Sequence, residues 1–381
     1  MIETKLFKDF FNSEKAGGLI LIACTMLSLT IANSIYGESY QHFWQINFAG
    51  GSIEHWVNDG LMSIFFLLIG LELEREMYDG ELAKVKEALL PLVAAFGGIV
   101  LPAGLYMLFN YGTNTQSGAG IPMATDIAFA LGVLSLLGKR VPTSLKVFLT
   151  AFAVIDDLGA ILIIAIFYTK SILWINLFTA LAIFAILLGL NRLKIRNLIP
   201  YLIGGAGMWY FMLISGVHAT ISGVLLAFAI PFGNGDNKST SYILQHFLHK
   251  PVAFIILPIF ALANTAITFS VDFGEILTQN YSLGIATGLI IGKPLGIFLL
   301  TYGAVALGVC KLPSDLTWKS IIGVGFLGGI GFTMSIFITL LAFEDATIIN
   351  NAKLIILLAS LIAGLIGFIT LKLTLKYKGK H

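Results

Sequence analysis

Residues 144–168 read SLKVFLTAFAVIDDLGAILIIAIFY, an apolar run broken near its middle by two adjacent acids, Asp156 and Asp157. A helix of that length is about 38 Å long, enough to cross the roughly 30 Å hydrocarbon core of a bilayer. An ionised side chain at the bilayer centre costs at least about 2.5–3.5 kcal/mol on insertion scales, so an acidic pair there is a functional signal. The surrounding chain has the same character. Of its 381 residues 57% are hydrophobic and only 12% charged, where a soluble domain carries about a quarter. Mean hydropathy is +0.90. The apolar runs are continuous rather than alternating, which predicts helices and argues against a transmembrane barrel.

Working outward from 144–168, the hydropathy pattern predicts an all-α polytopic membrane protein of twelve spans. They fall near 17–36, 58–78, 88–109, 120–137, 144–168, 172–190, 199–215, 216–232, 251–269, 282–308, 320–342 and 350–374, with Ser215-Gly216 as the boundary between the seventh and eighth. The first run is too long for a signal h-region and lacks a small-x-small cleavage site, so it reads as a retained span. Basic residues test the count. Nineteen of the 23 Lys and Arg fall on the side of the N-terminus and one, Lys170, on the other; Lys146, Lys293 and Lys353 lie within spans. By the positive-inside rule both termini are expected in the cytoplasm. Net charge is +2, which gives no reason to expect a nucleic-acid partner. Cys24 and Cys310 lie in or beside apolar stretches and suit packing better than a disulfide or metal site. No phosphate-binding loop is present, which argues against an ATP-driven pump.

Two further patterns concern architecture. Residues 45–56 centre on Gly50-Gly51 with partly alternating flanks, read either as an outer hairpin or as an irregular loop. A lone two-stranded hairpin is marginal and needs a pairing partner, such as a second protomer. The triplets 88–168 and 282–374 have similar lengths and opposite predicted orientations, as expected of inverted-topology repeats. The middle span of each is interrupted, by Ile121-Pro122-Met123-Ala124-Thr125-Asp126 in one and by the glycines of 323–331 in the other. Such interruptions point to a transport site at the midplane; the alternative is that the glycines only permit close helix packing.

The ionisable residues inside spans are Asp126, Asp156, Asp157 and Lys293. Adjacent residues on a helix point about 100° apart, so Asp156 and Asp157 cannot face one point. One is expected to face an aqueous cavity and the other to meet a cation such as Lys293. A carboxylate holds either a proton or a hard cation such as Na⁺, with the Thr125 hydroxyl and freed carbonyls as further oxygen ligands. Competition at one site with alternating access then suffices for exchange. Lys293 reads equally as a structural partner. Glu72, Arg75 and Glu76 lie near the end of the second span, where solvated charge is the common reading and Glu72 is a candidate entrance residue. Lys146 and Lys353 are expected to snorkel from span ends. His218 suits a helix–helix hydrogen bond better than a proton relay. His246 and His249, placed in the loop before the ninth span, are candidate pH-sensing groups.

The chain resembles the NhaA family of bacterial Na⁺/H⁺ antiporters. The resemblance covers nearly the whole chain and rests on six stretches: Phe65 to Glu72, Ala124 to Gly132, Ile155 to Ala160, Ser215 to Thr220, Ile291 to Gly296 and Gly329 to Ser335. It implies twelve helices with the fourth and eleventh broken and crossing; NhaA antiporters are themselves the type case of that inverted-repeat design. It also implies electrogenic exchange, more protons entering than Na⁺ leaving, with Li⁺ as an alternative cargo and no cofactor. By the same resemblance Asp156 and Asp157 bind ion and proton, and Thr125 and Asp126 belong to the broken-helix assembly. Asp126 would balance positive half-helix ends and Lys293 negative ones, pairing with Asp156. Glu72, Arg75 and Glu76 match the family's cytoplasmic funnel and pH-response cluster, and the outer hairpin its dimer contact. The location implied is the bacterial inner membrane. One departure stands out. The family usually carries an acid beside the histidine before the ninth helix, and here Gln245 precedes His246, so the pH threshold does not carry over.

Two other classes remain on the residues alone. A Na⁺-coupled organic anion transporter needs a cationic or helix-N-terminal anion site, and only Lys293 is at hand. An intramembrane aspartic protease could use two acids sharing a proton, but its Tyr-Asp and Gly-x-Gly-Asp motifs are absent at Asp126, Asp156 and Asp157.

Overall fold

A computed structural model describes residues 5–48, 50–169, 172–233, 235, 238–269 and 273–375. Lys170 and the tail lysines 376, 378 and 380 therefore lie outside the described residues. The described chain is helical almost throughout, as lipid requires: with no water to satisfy backbone groups, each span must close its own hydrogen bonds. In chain order the helices are α1 (Lys5–Ala32), α2 (Gly37–Gln45), α3 (Ile53–Tyr78) and α4 (Val85–Asn110). The fourth span is a 3₁₀ segment, Gln116–Met123, followed by α5 (Ile127–Leu136). Then come α6 (Thr143–Phe167), α7 (Trp174–Arg192), α8 (Ile199–Ser215), α9 (Ile221–Ala229), α10 (Thr240–Asn264), α11 (Phe273–Thr278) and α12 (Asn280–Ala306). The eleventh span is split into α13 (Trp318–Gly328) and α14 (Phe332–Ala342), and α15 (Ala346–Thr374) ends the bundle.

Each predicted span coincides at least in part with helix, and the protein is an all-α polytopic membrane protein. Eight helices are long and apolar enough to cross a bilayer, and counting bent pairs as single spans brings the number to ten among the described residues. α8, at 17 residues, falls just below that length. α9 is only nine residues, about 14 Å, because the chain turns through 216–220 before it. The α8–α9 boundary falls at Gly216, whose φ of 86° lies in the left-handed region that favours glycine.

One boundary differs from expectation. The ninth span begins at Thr240 rather than near 251, so His246 and His249 lie on α10 and not in a loop. Ser239 starts that helix by accepting from Tyr242 N–H, and Pro251 leaves it unbroken. A π turn at Val252–Ile256 absorbs Pro258, and another at Gly288–Gly292 in α12 absorbs Pro294. Each turn is centred four residues before the proline, where the ring displaces a carbonyl. Residues 45–56 form a minimal ladder, with Asn47 opposite Ser52 and Phe48 opposite Gly51.

The helices nearest the acids are pressed close by glycine. A Cβ on Gly97 of α4 would meet the Gly296 carbonyl of α12, and one on Gly296 would meet the Gly97 carbonyl. That approach holds α4 and α12 together around Lys293. α13 and α14 meet at a bend of 46°.

Candidate functional site

Both broken spans come apart where side chains or neighbours forbid a continuous helix. In the fourth, Ala124 is extended after Pro122 and Asp126 has ψ of 97°. In the eleventh, Gly329 passes so near the Leu289 carbonyl that a Cβ would collide with it. The two breaks lie against each other. Asp126 N–H donates to Ile330 O at 2.7 Å, the Thr125 hydroxyl to Gly328 O at 2.8 Å, and the Ser335 hydroxyl to Ile121 O at 2.7 Å. Each span thus satisfies backbone groups that the other's break sets free, which allows non-helical chain at membrane depth.

Half-helix ends bring partial charge to this crossing. Asp126 sits between two helix N-termini. One oxygen accepts from Phe129 N–H of α5 at 2.9 Å; the other accepts from Thr333 of α14, its N–H at 3.2 Å and its hydroxyl at 2.5 Å. Lys293 sits at a C-terminus, donating to the Met123 carbonyl that ends the 3₁₀ segment. The same ammonium reaches both Asp156 oxygens, at 2.9 and 2.7 Å, and lies 5.8 Å from the centre of the Phe152 ring. The Thr125 backbone and hydroxyl also lie against the Asp156 carboxylate. Asp126, Asp156 and Lys293 are all buried.

Asp157 differs. It is wholly buried, and neither carboxylate oxygen has a hydrogen-bond partner. The charges that act on it are those of Asp156, Asp126, Lys293 and Glu72. The 100° offset on α6 explains the contrast: turning Asp156 toward Lys293 turns Asp157 away from it. Buried polar groups are almost always paired; this carboxylate, unpartnered at both oxygens, is an exception available to a proton or a cation. Among the described residues no three His, Cys, Asp or Glu side chains gather as a metal site. A cation at Asp157 would need carbonyl or hydroxyl oxygens as well.

The remaining predicted residues fall into two places. Glu72 and His249 line one cavity of about 30 Å³ with Phe65, Ile127, Ala128 and Leu131, roughly one water molecule's share of liquid. Its wall includes Ile127 and Ala128, the first residues of α5 after Asp126. Near it Arg75 lies over the Tyr242 ring, 5.5 Å from its centre, and Tyr242 stacks on His246. Glu76 is half-buried on the same last turn of α3. Glu72, Arg75, Glu76, His246 and His249 therefore gather where α3 meets α10. His218 lies apart from them, its Nε2 2.9 Å from Tyr168 O. A larger cavity, about 590 Å³ and lined by residues such as Thr113, Asn280 and Asn351, is also away from the acids.

Two buried charges escaped the sequence reading. Lys353 does not snorkel: it is 5% exposed, with Nζ 3.3 Å from Asn264 Oδ1 and 3.9 Å from Glu54 Oε1. It lies two turns into α15, too deep to reach water, and Asn264 offers it an acceptor. Glu74 is 4% exposed and its Oε2 lacks a partner. It lies four residues after Gly70, which abuts Ala227 and Val224 of α9, a packing that the sequence alone does not show.

A helical membrane protein with two interrupted spans meeting among buried acids belongs to the class of secondary transporters. The particular family follows from comparison. Residues 8–371 match the family described as Na⁺/H⁺ antiporter 1, and the chain belongs to it. It is 74% identical to the Na⁺/H⁺ antiporter NhaA of Flavobacterium psychrophilum over 98% of this chain and 97% of that one. Identity to the NhaA of Cytophaga hutchinsonii is 61% over 98% and 96%, and to that of Caulobacter vibrioides 48% over 97% and 91%.

Proposed function

We propose that this protein exchanges Na⁺ or Li⁺ for H⁺ across the bacterial inner membrane, with both termini in the cytoplasm and the Glu72 cavity as the cytoplasmic entrance. The observation that carries this reading is Asp157, a wholly buried carboxylate with both oxygens unpartnered beside the crossing of two broken helices. The relatives' names as Na⁺/H⁺ antiporters support it. Asp157 holds a proton or helps to hold the cation, never both, so the arrival of one expels the other. Asp156 supplies the second carboxylate, kept in place by Lys293 and Thr125. Two acids serving one monovalent ion move net charge each cycle, so exchange is electrogenic. Asp126 compensates the half-helix N-termini and Lys293 the C-terminus. Residues 88–168 and 282–374 act as inverted repeats, and the Glu72, Arg75, Glu76, His246 and His249 cluster makes activity respond to cytoplasmic pH. The hairpin at 45–56 pairs with a second copy.

The competing classes fit less well. An organic anion would need a free cation or helix N-terminus. Lys293 is committed to Asp156, and Asp126 already occupies both N-termini at the crossing. A protease dyad needs two acids sharing a proton, whereas Asp156 is ion-paired.

The test uses purified protein in liposomes with an acid interior and a pH-sensitive dye. Added Na⁺ or Li⁺, but not K⁺, alkalinises the interior. No ion-driven change from pH 6 to 9 in folded protein sinks the reading.

A further inference from the structure

The crossing is approached from the Glu72 end by a cavity and closed at the other end in two layers. The first is aromatic. Phe337 of α14, Phe66 of α3 and Phe260 of α10 are buried together, with ring centres 5.4 Å (Phe66–Phe337) and 6.5 Å (Phe260–Phe337) apart. Each lies beyond the crossing along its helix. Phe337 is one turn past Thr333, and Phe66 lies between Glu72 and the start of α3.

One turn further out is a polar chain. Asn58 Oδ1 accepts from Asn264 Nδ2 at 2.7 Å, Asn264 Oδ1 accepts from Lys353 Nζ at 3.3 Å, and Lys353 reaches Glu54 Oε1 at 3.9 Å. It ties α3, α10 and α15 together at the hairpin end. The second donor of Asn264 is used on Phe260 O at 3.1 Å, which fastens the polar chain to the aromatic layer.

We propose that Glu54, Asn58, Asn264 and Lys353 form the latch of an outer gate, and that the Phe66–Phe260–Phe337 layer beneath must part for the site to open toward the hairpin end. The proposal rests on the exchange reading above. A permanent tie would place a buried ammonium in short, multiple contacts, as at Lys293. Here the ammonium is held at the long end of hydrogen-bonding distance by a neutral amide, and by a carboxylate that is 32% exposed. Asn58 of the latch itself lies in a π turn of α3, Trp56–Leu61. Such turns recur at functional sites. Breaking the latch favours the state open at the hairpin end, and apparent affinity scales with the population of the competent state.

Two measurements test this. The first is the KM for Na⁺ at each face of oriented vesicles. Glu54→Gln and Lys353→Met should each lower KM about two- to five-fold at the hairpin face and raise it at the Glu72 face. The double variant should match the singles, and Lys353→Arg should stay near the parent. Equal changes at both faces, or additive effects, overturn the latch; Glu54→Gln keeps the test decisive if Lys353→Met fails to fold. The second uses Asn58→Cys/Asn264→Cys with Cys24 and Cys310 replaced by serine, bridged through two disulfides by a short bis-thiosulfonate reagent. Bridging should stop exchange more than ten-fold and reduction should restore it; unchanged exchange in bridged protein overturns the proposal. A parent that exchanges no ions fails the exchange reading, whereas an active parent with symmetric KM changes fails only the latch.

Discussion

Lys293 and Lys353 are both buried in the bundle, yet the structure holds them by different means. Lys293 meets two oxygens of one carboxylate within 2.9 Å, a helix-ending carbonyl and an aromatic face. Lys353 meets one amide oxygen at 3.3 Å and a carboxylate at 3.9 Å. Removing an ion from water costs several kcal/mol, recovered only when geometry is close and every donor is used. Lys293 meets that condition and Lys353 only partly does. The crossing is therefore built to stay assembled, while the outer end is built to let go. A transporter needs both, because a fixed site must see each side in turn.

The largest effect should come where the crossing leaves a group without a partner. Asp157→Asn keeps size and shape but cannot exchange a proton for a cation near neutral pH. Exchange in the liposome assay should fall by at least about a hundred-fold, with the melting temperature within a few degrees of the parent, since the unpartnered oxygens contribute no bond to lose. Normal Na⁺-dependent exchange would remove Asp157 from the mechanism. Lys293→Ala comes next. It strands the Asp156 charge among buried groups, for which a loss of about 3–5 kcal/mol is typical. Thermal melting of the variant should show a large drop, and Asp156→Asn in the same chain should recover part of it. An unchanged melting temperature would mean that the pair does not hold the crossing.

Much of this was legible in the sequence. Continuous apolar runs around 153–159 and the sorting of Lys and Arg between loops imply a polytopic helical protein, because lipid leaves few alternatives. The adjacency of Asp156 and Asp157 already required that they point apart. Which one would find a cation depended on where Lys293 lies, and that is set by the tertiary approach of Gly97 to Gly296, which no local pattern reveals. The early start of α10 was hidden for a related reason: Pro251 stays within the helix and a π turn absorbs Pro258. Lys353 was misread because a lysine eight residues into α15 looks long enough to snorkel; the buried amide of Asn264 that holds it comes from another helix.

The smallest effect should distinguish the two lysines by stability alone. Lys353→Met preserves the stem that fills space in α15 and removes a charge with few partners. Glu54 is then left partly exposed, where an unpaired carboxylate is solvated, and Asn264 loses one acceptor contact while keeping both donors. Replacing a poorly compensated buried charge with a well-packed apolar chain is often neutral or stabilising. The melting temperature of Lys353→Met should therefore stay close to the parent, within about 1 kcal/mol of stability, against several for Lys293→Ala. Comparable losses in the two variants would show that Lys353 is as tightly bound as Lys293, and that the outer end is fastened as firmly as the crossing.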